Sequence, residues 1–338
     1  MKVLYAIQAT GNGHISRARE VLPILRQMAD VDILLSGSNS NLNLPFPVKY
    51  RSKGLSLQYN NSGGLSYWEM MKKTNFIRLA KEIRDFPVKD YDLIINDFES
   101  ISAWAAWYRQ VPCISFSHQV SLLSDLCPKP NSWSPFSKLV MSQYAPASYA
   151  VGLHFKNYDD YIFTPIIRKE IRSLETCNKG HYTVYLPAVS DKQLMDVLHE
   201  IPEVRWEIFS RQIKYPYFDK NITIRPVQHD SFTQSLASCN GLLTGAGFES
   251  PAEALYLRKK LFVIPIKGQY EQQCNAEALK SLGIPTAKEF NASILPALKR
   301  WMNSSFLPKV HYPDITERLV EQILFDQDPF LVPMFAAG

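Results

Sequence analysis

A histidine in a glycine turn behind an apolar run can take a proton near neutral pH, and His14 is so placed in ATGNGHISRA, after KVLYAI. Such a base needs a partner to orient it. Asp97 ends the apolar run YDLIIND, so its carboxylate should leave the same edge of a parallel sheet. Together they would form a proton-accepting dyad. His118 closes PCISFSH and Gln119 follows it, which adds polar groups at that edge. Each residue has an ordinary alternative. Asp97 could cap a helix starting at Glu99 or Ser100, and His118 could be a satisfied core histidine.

The turn is a poor nucleotide loop. Gly11 and Gly13 supply half of a GxGxxG pattern, but Ser16 stands where the third glycine belongs. The next strand, VDILLSG, ends without the acid that would hold a ribose, and no GK[ST] follows. The phosphate signal lies instead in LLTGAGFESPAEALYLRKKLFVIPIKGQYEQQCNAEAL, residues 242–279. A strand ends in Gly245-Ala246-Gly247, and a helix opens near Ser250-Pro251, where proline suits a first turn. Backbone N–H groups at such a start, with a serine hydroxyl, bind phosphate oxygens. Glu253, three residues on, has a natural reach for ribose hydroxyls. Gln269, Glu271, Gln272 and Asn275 offer the carboxylate and amide groups that sugar recognition needs.

The elements that must carry these residues alternate in type. KVLYAIQA, VDILLSG, YDLIIND, PCISFSH and ASYAVGL read as buried strands. Ile15, Ala18, Leu22, Leu25 and Ala29 fall on one helical stripe, with Arg17, Arg19 and Arg26 off it. This is the rhythm of a doubly wound parallel sheet. It restarts with HYTVYLP, VRWEIFS, ITIRPV, NGLLTGAG and LFVIPI, and helices are expected near 190–200, 231–238, 250–258, 271–282 and 313–325. The charged stretch 158–180 separates the two series. The expected organisation is two α/β halves, over 1–165 and 166–312, followed by a helical and then apolar tail over 313–338. Stretches 52–75 and 119–137, rich in small polar residues and aromatics, are expected to be irregular loops that either meet an acceptor or simply pack.

Composition narrows the class. The chain has 338 residues, 46% of them hydrophobic, and a net charge of +5 in short scattered clusters, so no basic run reads as a nucleic-acid arm. Five separated cysteines without a CxxC predict a reducing compartment. The chain enters a strand at once and holds no apolar run of membrane-spanning length, which predicts a cytoplasmic protein and leaves peripheral membrane contact open. No acidic pair reads as a metal site: YDD at 158–160 and FDK near 219 look like solvated loop carboxylates.

The sequence resembles the GT-B glycosyltransferases, in particular the UDP-sugar group with the peptidoglycan N-acetylglucosaminyltransferase and the UDP-glucosyl/glucuronosyl transferases. Their pattern G-x-x-S-x-x-E, then P, then [DE]-Q-x-x-N-A is matched in order by Gly247 to Glu253, Pro265, and Glu271 to Ala276. SFSHQ resembles the IHEQN-type segment of the peptidoglycan enzyme. The resemblance implies two Rossmann-like doubly wound domains facing across a cleft, 1–165 on the acceptor side and 166–312 binding the nucleotide-sugar, with the tail over 313–338 crossing back to the first. It implies a diphosphate at Ser250 and the backbone around Phe248, a ribose at Glu253, a donor sugar at Glu271 and Gln272, a base at His14 and its steadying acid at Asp97. The implied activity is inverting, metal-independent transfer from a nucleotide-sugar, UDP-linked, to a carbohydrate, lipid-linked or small-aglycone hydroxyl, with no permanently bound cofactor. A nucleotide-sugar 2-epimerase or hydrolase, or a non-catalytic nucleotide-sugar binder, would share the fold. Two departures stand out. Glu249 replaces the Asn, Thr or Ser that relatives carry beside the diphosphate, and Gly245 replaces a histidine of the glucosyltransferases.

Overall fold

A computed structural model describes residues 1–9, 12–37, 44–55, 75–131, 141–325 and 332–333. Gly11, most of the 52–75 stretch, the end of the 119–137 stretch and most of the last thirteen residues lie outside these. The first series of apolar runs forms strands β1 (Lys2–Gln8), β2 (Asp30–Ser36), β3 (Tyr50–Ser52), β4 (Leu93–Asp97), β5 (Cys113–Ser117), β6 (Tyr149–Leu153) and β7 (Ile162–Phe163). The second forms β8 (His181–Tyr185), β9 (Arg205–Ser210), β10 (Tyr217–Asp219), β11 (Ile222–Pro226), β12 (Gly241–Gly245) and β13 (Lys260–Ile264). A last strand, β14 (Val332–Pro333), pairs antiparallel with β6.

Two sheets result. The first has the order β14-β6-β5-β4-β1-β2-β3, with β7 also on β6; the second is β10-β11-β9-β8-β12-β13. All ladders are parallel except those of β14 and β10. Parallel strands send their carboxyl ends to one edge, and that edge carries the chemistry in doubly wound sheets. The short strands β3, β7 and β10 were not expected. Two or three residues carry too little periodicity to register.

Between strands run helices α1 (Asn12–Met28), α2 (Phe76–Asp85), α3 (Ser100–Arg109), α4 (Asp191–Leu198), α5 (His229–Ser238), α6 (Glu249–Tyr256), α7 (Tyr270–Ser281), α8 (Leu295–Asn303) and α9 (Thr316–Phe325). The stripe of α1 packs as its spacing predicts: Ile15, Ala18, Leu22 and Leu25 are fully buried. One continuous apolar core joins the halves. It includes Ile7, Ile15 and Phe116 from the first and Phe248, Ala252 and Leu279 from the second. A separate cluster fills the far face of the second sheet, under Trp206, Phe262 and Trp301.

The chain crosses between the sheets before β8 and again before α9, which packs on α1. The two crossings are tied to each other. Arg172, in the first, donates to the carbonyls of Tyr312 and Pro313 in the second, at 2.9 and 3.0 Å. The Tyr312 hydroxyl donates at 3.0 Å to the Phe155 carbonyl. Cys113, Cys127, Cys239 and Cys274 are buried free thiols, and Cys177 is an exposed one. Among the described residues no helix is long and apolar enough to cross a membrane.

Candidate functional site

The loop after β1 is so short that His14 falls in the first turn of α1, not before it. Register does the rest. Asp97 ends β4 directly beside Ile7 of β1, so it emerges under the start of α1. His14 Nδ1 lies 2.8 Å from Asp97 Oδ1. A carboxylate only accepts, so this contact favours a proton on Nδ1, which also lies 3.2 Å from Arg17 Nη2, and leaves an Nε2 lone pair able to take a proton.

Asp97 is free for this because another residue caps the helix. Glu99 accepts from the Ile101 and Ser102 N–H groups at 2.8 and 2.7 Å and from the Ser102 hydroxyl. Asn96 braces that cap through the Glu99 backbone. Phe98, between the two acids, has a φ of 57°, a conformation that non-glycine residues rarely adopt. It stacks on Tyr144 at 4.4 Å. The turn lets consecutive acids face opposite tasks.

The sequence pattern missed Arg17. Read as lying off the buried stripe, it is only 3% exposed. Its Nε and Nη2 donate to the two Asp97 oxygens at 3.1 and 2.8 Å, and its Nη1 donates to Glu249 Oε1 at 3.0 Å. Burial opposes its charge, but Asp97 and Glu249 raise its pKa on balance. Burial likewise opposes the Asp97 charge, yet Arg17 and His14 hold that carboxyl below its usual range. The only sequence signal for this was the GHxxR spacing itself, which sets Arg17 one turn beyond His14 on the same helix face.

Across the cleft, β12 runs through Ala246 and Gly247 into α6 as expected. A Cβ added to Gly247 would meet nothing within 4 Å, so open space adjoins the helix start. Gly245, Gly247, Ser250 and Gln272 form one wall of a cavity of about 340 Å³; Tyr185, Gln193, Lys288 and Phe290 contribute to the rest. None of those last four was singled out in the sequence. Glu249, the first residue of α6, turns away to Arg17. Burial pushes its carboxyl up to about 7, against the pull of Arg17 and with the help of Glu253 and Asp97. Gly13 permits this approach, because a Cβ there would sit 3.0 Å from Glu249 Cγ.

Other expected residues occupy different places. Glu253 is buried, with both oxygens on Arg168 at 2.5 and 2.9 Å, and does not line the cavity. Asn275 is fully buried between His118 Nε2, at 2.8 Å from its Oδ1, and the Ala246 carbonyl, to which it donates at 3.1 Å. It braces the glycine loop from behind instead of facing a ligand. His118 has its other nitrogen on the Leu153 carbonyl at 2.7 Å and stacks on Phe248 at 4.0 Å. With both nitrogens and one ring face engaged, it bridges the halves, and burial lowers its pKa. Gln119 donates to Glu271 Oε2 at 3.1 Å. Gln119 Oε1 and Gln269 Oε1 are buried without a partner among the described residues. Gln272 Oε1 accepts from the Ile266 N–H, which fixes the loop before α7. Among the described residues no three His, Cys, Asp or Glu side chains group as a metal site would require.

A dyad at one sheet edge faces a glycine-loop helix start at the other. The family model described as glycosyl transferase family 1 matches residues 1–300. The chain belongs to this family. It is a glycosyltransferase with the GT-B fold, and solved structures of that fold cover nearly all of it. MurG from Acinetobacter baumannii is 16% identical with a TM-score of 0.58, over 95% of this chain and 98% of that one. UGT89C1 from Arabidopsis thaliana, complexed with UDP-L-rhamnose, is 16% identical with a TM-score of 0.57, over 96% and 93%. SsfS6 from Streptomyces sp. SF2575, complexed with thymidine diphosphate, is 13% identical with a TM-score of 0.54, over 96% and 95%. Comparison of this glycosyltransferase with curated proteins gives no match.

Proposed function

We propose that this glycosyltransferase moves a sugar from a UDP-linked donor to an acceptor hydroxyl in one inverting, metal-independent displacement. One observation carries the reading. Arg17 touches both Asp97, the partner of His14, and Glu249, the first residue of α6. The base and the anion-binding helix start therefore lie a single side chain apart.

His14 Nε2 takes the acceptor proton while the acceptor oxygen bonds to the anomeric carbon. The bond from that carbon to the diphosphate oxygen breaks, and its electron pair leaves with the diphosphate. Asp97 stabilises the imidazolium. The N–H groups at Gly247 to Ser250 and the Ser250 hydroxyl meet the charge growing on the leaving group, a preorganised arrangement suited to such charge. The cavity of about 340 Å³ adjoins Gly247 and Ser250, which supports a diphosphate at the helix start. Glu271, with Gln119 and the unpartnered Gln269 oxygen, takes the sugar hydroxyls. The ribose is assigned to Glu253 on the resemblance alone, since Arg168 holds both of its oxygens and it lies outside the cavity. UGT89C1, with its UDP-sugar complex, supports a uridine donor. SsfS6, with thymidine diphosphate, names the competitor.

A thermal-shift screen against UDP, GDP, dTDP, ADP and their sugars tests this. Ligand at a hundred times its Kd stabilises by about 2.7 kcal/mol. The expected result is a shift with uridine nucleotides that shrinks in Glu253→Ala. No shift with any nucleotide would overturn the donor site, and a shift that Glu253→Ala leaves intact would remove the ribose from Glu253.

A further inference from the structure

Glu249 stands where the resemblance puts a neutral diphosphate ligand, and the structure shows what it does there. Arg17 grips Asp97 with two nitrogens, which fixes the plane of its guanidinium. The third nitrogen, Nη1, is thereby aimed across the cleft, and it meets Glu249 Oε1 at 3.0 Å. That carboxylate is the first residue of α6, next to the open space at Gly247. One cation faces two carboxylates, so the group already carries an excess negative charge when both are ionised. A diphosphate arriving at Gly247 to Ser250 would add more. Burial already favours the protonated form of Glu249, and 21% of its side chain remains exposed. It can therefore give up Arg17 by taking a proton or by turning outward.

We propose that Arg17 is a phosphate ligand of this glycosyltransferase and that Glu249 is its resident stand-in. When the donor enters, a diphosphate oxygen replaces Glu249 Oε1 on Arg17 Nη1. The inference rests on the reading that the diphosphate binds at the start of α6. Its consequence is specific. The same guanidinium that orients Asp97 beneath the base also neutralises the leaving group, and an internal acid competes for it until donor arrives. An empty cleft is thus held by Arg17 and Glu249, and donor binding exchanges one anion for another.

Inorganic pyrophosphate is the probe, titrated calorimetrically into the full-length protein. Glu249→Gln removes the competing charge and should tighten pyrophosphate binding about tenfold, while Arg17→Met should weaken it by at least as much. In the double variant the gain from Glu249→Gln should vanish, because the two effects act through one contact. A purely structural role for the pair predicts the opposite sign for Glu249→Gln. If Arg17→Met fails to fold, Glu249→Gln alone decides, since it keeps the size and a hydrogen-bonding group. Unchanged or weaker binding in Glu249→Gln overturns the inference. Ser250→Ala separates the two levels: if it weakens pyrophosphate binding while Glu249→Gln does not tighten it, the diphosphate site stands and the exchange falls. If wild-type protein binds no pyrophosphate, both fall.

Discussion

Two arginines, Arg17 from α1 and Arg168 from the first chain crossing, hold acids one turn apart on helix α6, and they hold them differently. Arg168 closes on Glu253 with two nitrogens on two oxygens, and its remaining nitrogen lies against Glu170 and His229. Arg17 gives its paired nitrogens to Asp97 and only one to Glu249. In the first clasp both carboxylate oxygens are engaged, and just 5% of the Glu253 side chain is exposed. In the second, the acid keeps an oxygen to spare and a path to solvent. Buried ion pairs of similar composition can thus serve opposite ends. A closed one fixes a helix, and an open one can trade its anion.

The largest effect should fall on the open side and on rate alone. His14→Ala should reduce turnover by roughly 10² to 10⁴ while leaving nucleotide binding intact, measured by transfer kinetics beside a binding titration. Equal loss of binding would mean that His14 is part of the donor site and not the base. Next comes the closed clasp. Arg168→Met leaves Glu253 buried and unpaired and should cost about 3–5 kcal/mol in urea unfolding. Replacing both residues by Met should recover most of that. If Arg168→Met costs no more than Glu249→Gln, the contrast between the clasps is wrong.

A pH series sharpens the same contrast. The folded protein raises the Glu249 carboxyl from its ordinary 4.5 to about 7, so it binds that proton more tightly folded than unfolded. Its contribution to stability is then fully present below about 4.5 and is lost as pH rises toward 7. Glu249→Gln should flatten that part of the stability profile, and an unchanged profile would show that the open acid is not the titrating group. The smallest effect belongs to Gly247→Ala. With nothing within 4 Å of the added carbon, stability should change by no more than about 0.5 kcal/mol. Donor affinity should nevertheless fall, because that carbon takes up the space beside the helix start.

The strand rhythm was legible because fully buried parallel strands are near-continuous apolar runs, and every such run in the sequence became a strand. His14 and Asp97 could be paired from strand ends alone, since parallel register fixes which edge they share. Arg17 could not. Helical periodicity assigns a charged residue to the outside, and only the distant Asp97 and Glu249 make its burial tolerable. Arg168 sat in a segment that reads as a charged linker. Asn275 and His118 are polar residues in a sugar-binding pattern, and nothing in their types distinguishes a bridge from a ligand. Helix α2 was not expected, although Phe76, Leu79, Ala80 and Ile83 fall at helical spacing, and Ile83 packs half-buried against the core.

The lacing of the two chain crossings by Arg172 has a mechanical consequence. A single tether between two bodies leaves them free to twist as well as bend. Two tethers bound side by side, with Arg172 reaching from one to the Tyr312 and Pro313 carbonyls of the other, act as the knuckles of one pin. Torsion about the tether is resisted, so any opening of the cleft against the shared core is steered into a swing about the line through both. Along such a swing the displacement grows with distance from the pin, so the two lips of the cleft travel furthest while the seam beside the crossings barely moves.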